Sequence, residues 1–119
     1  MAKYVRVSTI AFRGPEFGDG KTYSARTRDL MAKQLELAAQ AKPDLVVFPE
    51  FCNVQAVNWG PKGERLPELA ETIPGPTTDR MAEIAAKHRM YVAVSIPERD
   101  GKRFYNTTAY LDRQGRVIG

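Results

Sequence analysis

The sequence predicts an α/β fold built on a parallel sheet, and three observations predict it. The run Leu45-Val46-Val47-Phe48 lacks polar alternation, as expected of a strand buried on both faces by covering helices. Ahead of it lies a helical stretch with a broad apolar stripe, and ahead of that an alternating strand pattern. This β-α-β order has a crossover long enough for parallel pairing. At 119 residues, with 43% hydrophobic and 27% charged side chains, the chain suits one small domain with a real core.

Each element follows from local chemistry. Tyr4 to Phe12 reads as the first strand, and Gly14-Pro15 with Gly18-Asp19-Gly20 as a loop of turn residues. A helix runs from Ser24 or Ala25 to Ala41. Leu30, Met31, Leu35, Leu37, Ala38 and Ala41 supply its apolar stripe, and Arg26, Arg28, Lys33, Gln34 and Glu36 face out. Pro43-Asp44 breaks it and delivers the chain to the strand at Leu45. Phe51 to Pro74 is irregular and rich in Asn, Gly and Pro, a type of long loop that often carries function. Within it Glu64 to Ala70 can form a helical turn whose length Pro67 limits. A second helix starts around Pro74-Gly75-Pro76-Thr77-Thr78, with Thr77 as its cap and Asp79 near its positive end. Met81, Ile84, Ala85 and His88 share its inner face. Met90 to Pro97 is a strand, Asp100-Gly101 a hairpin turn, and Phe104 to Leu111 the returning antiparallel strand. After the turn Asp112-Arg113-Gln114-Gly115, a last strand opens at Arg116, and the sequence stops inside it. An unpartnered strand leaves backbone groups and an apolar edge exposed, so residues 1–119 are expected to be the N-terminal part of one longer domain.

Composition narrows the function classes. Lys and Arg outnumber Asp and Glu by 18 to 14, a net +4, but the two signs interleave and aromatics do not alternate with basic clusters. No nucleic-acid partner is expected from that pattern. The N-terminus enters a strand pattern at once, without a signal region or a membrane-length apolar run, so no membrane partner and a cytoplasmic location are the expectation. No cluster of Cys, His and acids has metal-site spacing, so no metal is expected. Cys52 is the only cysteine, which excludes an internal disulfide; beside a buried strand it reads as a small packed hydrophobe. His88, the only histidine, falls near a helix end and reads as structural.

Glu50 is the candidate catalytic residue. It stands at the carboxyl end of the apolar run, where ligands bind in α/β sheets, and a carboxylate desolvated there has its pKa pushed toward the range useful for proton transfer. The competing reading is a structural ion pair or an exposed loop position. Phe51, Asn53 and Trp59 in the following loop are candidate substrate-pocket residues, with ordinary packing as the alternative, and Asn106 reads as a hydrogen-bonding structural residue.

Four pieces occur in order and spacing: Val46-Val47-Phe48-Pro49-Glu50, Ile73-Pro74-Gly75-Pro76-Thr77, Ile84-Ala85-Ala86-Lys87-His88 and Tyr105-Asn106-Thr107-Thr108-Ala109-Tyr110-Leu111. With Asp112 to Gly119 behind them, the chain resembles the N-terminal half of the nitrilase, or carbon-nitrogen hydrolase, superfamily. The resemblance implies the first half of a four-layer α-β-β-α sandwich. It also implies hydrolysis of an amide, N-carbamoyl or nitrile group by a Glu, a Lys and a Cys, without cofactor. Glu50 falls on the Glu, while nothing in this sequence matches the Lys or the Cys, and Cys52, Lys87 and Lys102 do not replace them. The implied substrate is a small molecule, the implied branch amidase or N-carbamoyl hydrolase rather than true nitrilase, and the implied assembly a homo-oligomer. The isolated 119 residues are then expected to be inactive. The alternative is a non-catalytic α/β binding or assembly module that keeps half of the fold.

Overall fold

The computed structural model of the chain describes residues 4–16 and 20–119. Its elements are β1 (Val7–Thr9), α1 (Gly20–Ala39), β2 (Leu45–Val47), α2 (Leu66–Leu69), α3 (Pro76–His88), β3 (Tyr91–Asp100) and β4 (Arg103–Leu111). The strands form one sheet in the order β1-β2-β3-β4. β1, β2 and β3 run parallel, with Ser8 opposite Val46 and Val46 opposite Val92, and β4 runs antiparallel to β3. The β-α-β crossover therefore does produce parallel pairing.

Pleating sends alternate residues to opposite faces. On one face Val46, Val92, Val94, Ile96 and Leu111 meet Met31, Ala32 and Leu35 of α1 and Met81, Ile84 and Ala85 of α3 in one buried cluster. Burying each large aliphatic side chain there is worth about 1.5–3 kcal/mol relative to exposure. On the other face Val7, Tyr91 and Tyr110 are 52%, 40% and 51% exposed. The expectation of a β2 buried on both faces is thus half met. Val46 is enclosed, whereas Leu45 and Val47 are only partly buried because no layer of the described residues covers their side.

Several boundaries differ from the sequence reading for identifiable reasons. β1 is three residues long, matching the three residues of its one partner, β2; the pairing continues for one bond, from Ile10 N–H to the Val47 carbonyl at 2.9 Å. α1 begins at Gly20, ahead of Ser24, since Tyr23 and Thr27 are already buried and the Thr27 hydroxyl donates to the Tyr23 carbonyl at 2.9 Å. Gly18 and Asp19 of the expected loop lie outside the described residues. Leu37 and Ala41 do not join the apolar stripe: Leu37 is 59% exposed, lying about 200° around the helix from buried Leu35.

α3 is capped by Gly75, with Pro76 at its first position, where the missing N–H costs nothing. Thr77 lies inside the helix rather than at its cap. Its N–H and hydroxyl donate to the two oxygens of Glu71, at 2.7 and 2.8 Å, so a carboxylate from the preceding segment meets the positive end of the helix. His88 is at the helix end as expected but not on its inner face. Its Nε2 lies 2.6 Å from Glu36 of α1, beside Lys87 Nζ at 2.8 Å, and these bonds, Lys87 foremost, hold the Glu36 carboxyl below its usual range.

Beyond β4, Asp112 accepts from the N–H groups of Gln114 and Arg116 and from the Arg116 guanidinium, at 2.8, 2.9 and 2.7 Å. Gly115 closes this turn at φ +77°, and a Cβ there would sit 2.6 Å from the Ala82 carbonyl, so the position requires glycine on both counts. The last strand expected from Arg116 is reduced to a bridge between Val117 and Leu111. Ile118 and Gly119 pair with Tyr110 on the end of β4.

Candidate active site

β2 ends at Val47, but the chain stays against β3 for five more residues. Phe48 N–H donates to the Ala93 carbonyl at 3.0 Å and Cys52 N–H to the Ser95 carbonyl at 2.9 Å. Between these two tethers the chain turns, and Glu50 is at the turn. Phe51 adopts the left-handed conformation at φ +49°, a strained state for an aromatic residue that clusters at functional sites. Gln55 Nε2 donates to the Glu50 carbonyl at 3.0 Å and ties the turn from the other side.

The Glu50 side chain points away from the helical layer, toward the open face of the sheet. Leu45, Val47, Ala93, Ser95, Asn106, Thr108 and Tyr110 join it around a cleft of about 500 Å³, a size suited to a small molecule. Strand register explains the grouping: Ala93 faces Tyr110, Ser95 faces Thr108 and Pro97 faces Asn106 across the β3–β4 pair. Asn106 Nδ2 donates to Glu50 Oε1 at 2.6 Å. The expected desolvation of Glu50 is not found, because the residue is exposed on this uncovered face. A larger groove, about 1350 Å³, lies between α1 and α3 on the opposite side of the sheet. It is lined by Lys87, His88, Glu36, Arg113 and Asp44, which already pair with one another, and it is remote from Glu50.

The loop residues read as pocket candidates lie elsewhere. Phe51 and Trp59 pack on each other, with ring centroids 5.8 Å apart, against Tyr23, Val54 and Leu69. Asn53 is 1% exposed, and its Nδ2 donates to Glu71 at 3.3 Å. None of the three lines the Glu50 cleft. The residues of β3 and β4 that do line it alternate along their strands, and the register makes them converge on Glu50. Cys52 is fully buried with its thiol donating to the Ser95 carbonyl at 3.1 Å, and burial pushes it up to about 12, which leaves no thiolate for chemistry. Among the described residues no group of His, Cys and acids could hold a metal ion, and no helix is long and apolar enough to cross a membrane.

Comparison with known proteins decides the family, since the carbon-nitrogen hydrolase model matches residues 10–119. The chain belongs to the carbon-nitrogen hydrolase family. This carbon-nitrogen hydrolase chain is 30% identical to a bifunctional nitrilase/nitrile hydratase of Lupinus angustifolius, over 99% of its own length and 35% of the relative's. It is 35% identical to an omega-amidase of Xenopus tropicalis, over 72% of its length and 30% of the relative's. The chain thus spans about a third of the curated relatives it matches. Among solved structures, an N-terminal amidase superposes with a TM-score of 0.70 at 26% identity, over 97% of this chain and 27% of that one. An amidase from Nesterenkonia sp. superposes at 0.73 and 15% identity, over 97% and 41%, a likeness of fold. The mixed α/β fold with its four-stranded sheet is therefore that of nitrilase-type amidases, matched over part of their length.

Proposed function

We propose that the protein carrying this carbon-nitrogen hydrolase chain cleaves a non-peptide carbon-nitrogen bond, in an amide or N-carbamoyl group, with Glu50 as general base. The observation that carries this reading is the placement of Glu50. Its carboxylate is held at a strained turn beyond β2 and opens onto a cleft of small-molecule size. Relatives named as amidases and nitrilases support the reaction class.

In the Glu-Lys-Cys mechanism that the resemblance implies, Glu50 takes the proton of a cysteine thiol and the thiolate attacks the carbonyl carbon. A lysine ammonium stabilises the tetrahedral oxyanion, the amine leaves, and water releases the acyl group from sulfur. Neither Cys52, sealed in the core, nor Lys87, engaged by Glu36, is placed for the other two roles. The 119 residues alone are accordingly expected to be inactive. The same reading carries a cytoplasmic homo-oligomer acting on a small molecule without a cofactor.

The test is ammonia release by the complete protein from a panel of short aliphatic amides, N-carbamoyl amino acids and nitriles. Glu50→Gln removes the proton acceptor at constant shape and is expected to lower kcat by about a thousandfold. Retention of activity within tenfold would remove Glu50 from the mechanism. The preferred substrate of the panel assigns the branch.

A further inference from the structure

We propose that Asn106 is a positioning residue for the general base: its amide holds one oxygen of Glu50 so that the other is presented for proton transfer. The inference deepens the assignment of Glu50 and rests on it. Asn106 Nδ2 lies 2.6 Å from Glu50 Oε1, within hydrogen-bonding distance. The polarity of the contact is fixed by chemistry, because an ionised carboxylate can only accept and Nδ2 can only donate.

The two partners differ in how firmly their backbones are held. Asn106 is in the middle of β4, which pairs with β3 residue for residue from Val92–Leu111 to Asp100–Arg103. Glu50 is on a turn and exposed, and among the described residues Asn106 supplies the one side-chain hydrogen bond to its carboxylate. An exposed glutamate left to itself samples several staggered rotamers, whereas a donor on a locked strand selects one. Proton accounting is consistent with this role. With Oε1 occupied by the amide, the incoming proton goes to Oε2, and Oε1 still accepts from Asn106 after Glu50 becomes neutral. The bond therefore persists through the transfer.

Asn106→Leu is close in size and removes the donor, while Asn106→Ala removes the side chain beyond Cβ. Both are measured in the complete protein beside Glu50→Gln. Each Asn106 variant is expected to lower kcat about tenfold or more with KM within twofold, the mark of an interaction that serves the reacting state rather than binding. A crystal structure of the Asn106→Ala protein should show Glu50 in more than one rotamer. If Glu50→Gln is inactive but both Asn106 variants keep kcat within twofold, or raise KM alone, the positioning role is overturned while the base assignment stands. If Glu50→Gln retains activity, both fall. A single unchanged Glu50 rotamer in the Asn106→Ala structure also overturns the inference, independently of any assay.

Discussion

Cys52 and Glu50 are two residues apart and show how local placement divides chemistry from packing. Cys52 points into the core under Ser95 and is fully enclosed, so its thiol is held protonated. Ordinarily it would ionise near 9.0, and in the folded chain it does so only near 12. Below about pH 9 both folded and unfolded chains keep the proton and the thiol adds no pH dependence. Between 9 and 12 the unfolded chain ionises while the folded one does not, so stability falls as pH rises. Thermal unfolding of the wild type is therefore expected to lose stability across this window faster than Cys52→Ala, which removes that titration and costs about 1 kcal/mol at neutral pH. Parallel melting curves for the two proteins from pH 8 to 11 would contradict the burial. Iodoacetamide at pH 8 should leave Cys52 unmodified until the chain unfolds.

At the scale of elements, Glu71 joins four segments. It accepts from Arg28 of α1 at 3.2 Å, from Asn53 of the loop after Glu50, and from Thr77 at the start of α3. Its backbone pairs with β3 through Pro97 and Arg99. Removing a buried carboxylate leaves those donors without an acceptor, so Glu71→Ala is expected to cost about 3 kcal/mol in urea denaturation. Arg80→Ala, which breaks the exposed Arg80–Glu83 pair, should stay within about 0.5 kcal/mol. Similar losses for the two would deny Glu71 its special place. The same residues mark where sequence reading stops. An unbroken apolar run located β2, and apolar periodicity located most of the inner faces of α1 and α3, because burial imposes both patterns directly. A glutamate in an irregular segment carries no such pattern, and its meeting with the start of α3 arises from contacts six residues and more away. Glu50 was legible as an acid ending an apolar run. Its partner Asn106 lies 56 positions on and is brought to it by the β3–β4 register.

For the whole molecule the decisive feature is that, among the described residues, only one face of the sheet has a covering layer. On the other, Tyr4, Val5, Leu45, Tyr91, Tyr110 and Ile118 line a shallow apolar depression, with Tyr4 91%, Val5 71% and Ile118 58% exposed. Exposed apolar patches of this kind mark surfaces that a partner layer covers. The Glu50 cleft lies on the same face, so covering it would also withdraw the Glu50–Asn106 pair from water and strengthen that hydrogen bond. Expressed as 119 residues, the chain is therefore expected to self-associate in a concentration-dependent way in sedimentation velocity, and to bind a hydrophobic dye such as ANS. Introducing charge at two exposed positions, Val7→Lys with Tyr110→Lys, should reduce both signals while leaving the helical circular dichroism intact, since neither side chain packs against α1 or α3. A wild-type chain that is monomeric at every concentration and dye-silent would mean that this face is stable in water as it stands. The exposed apolar residues would then not drive association, and the argument from them that a further layer covers the Glu50 cleft would fail.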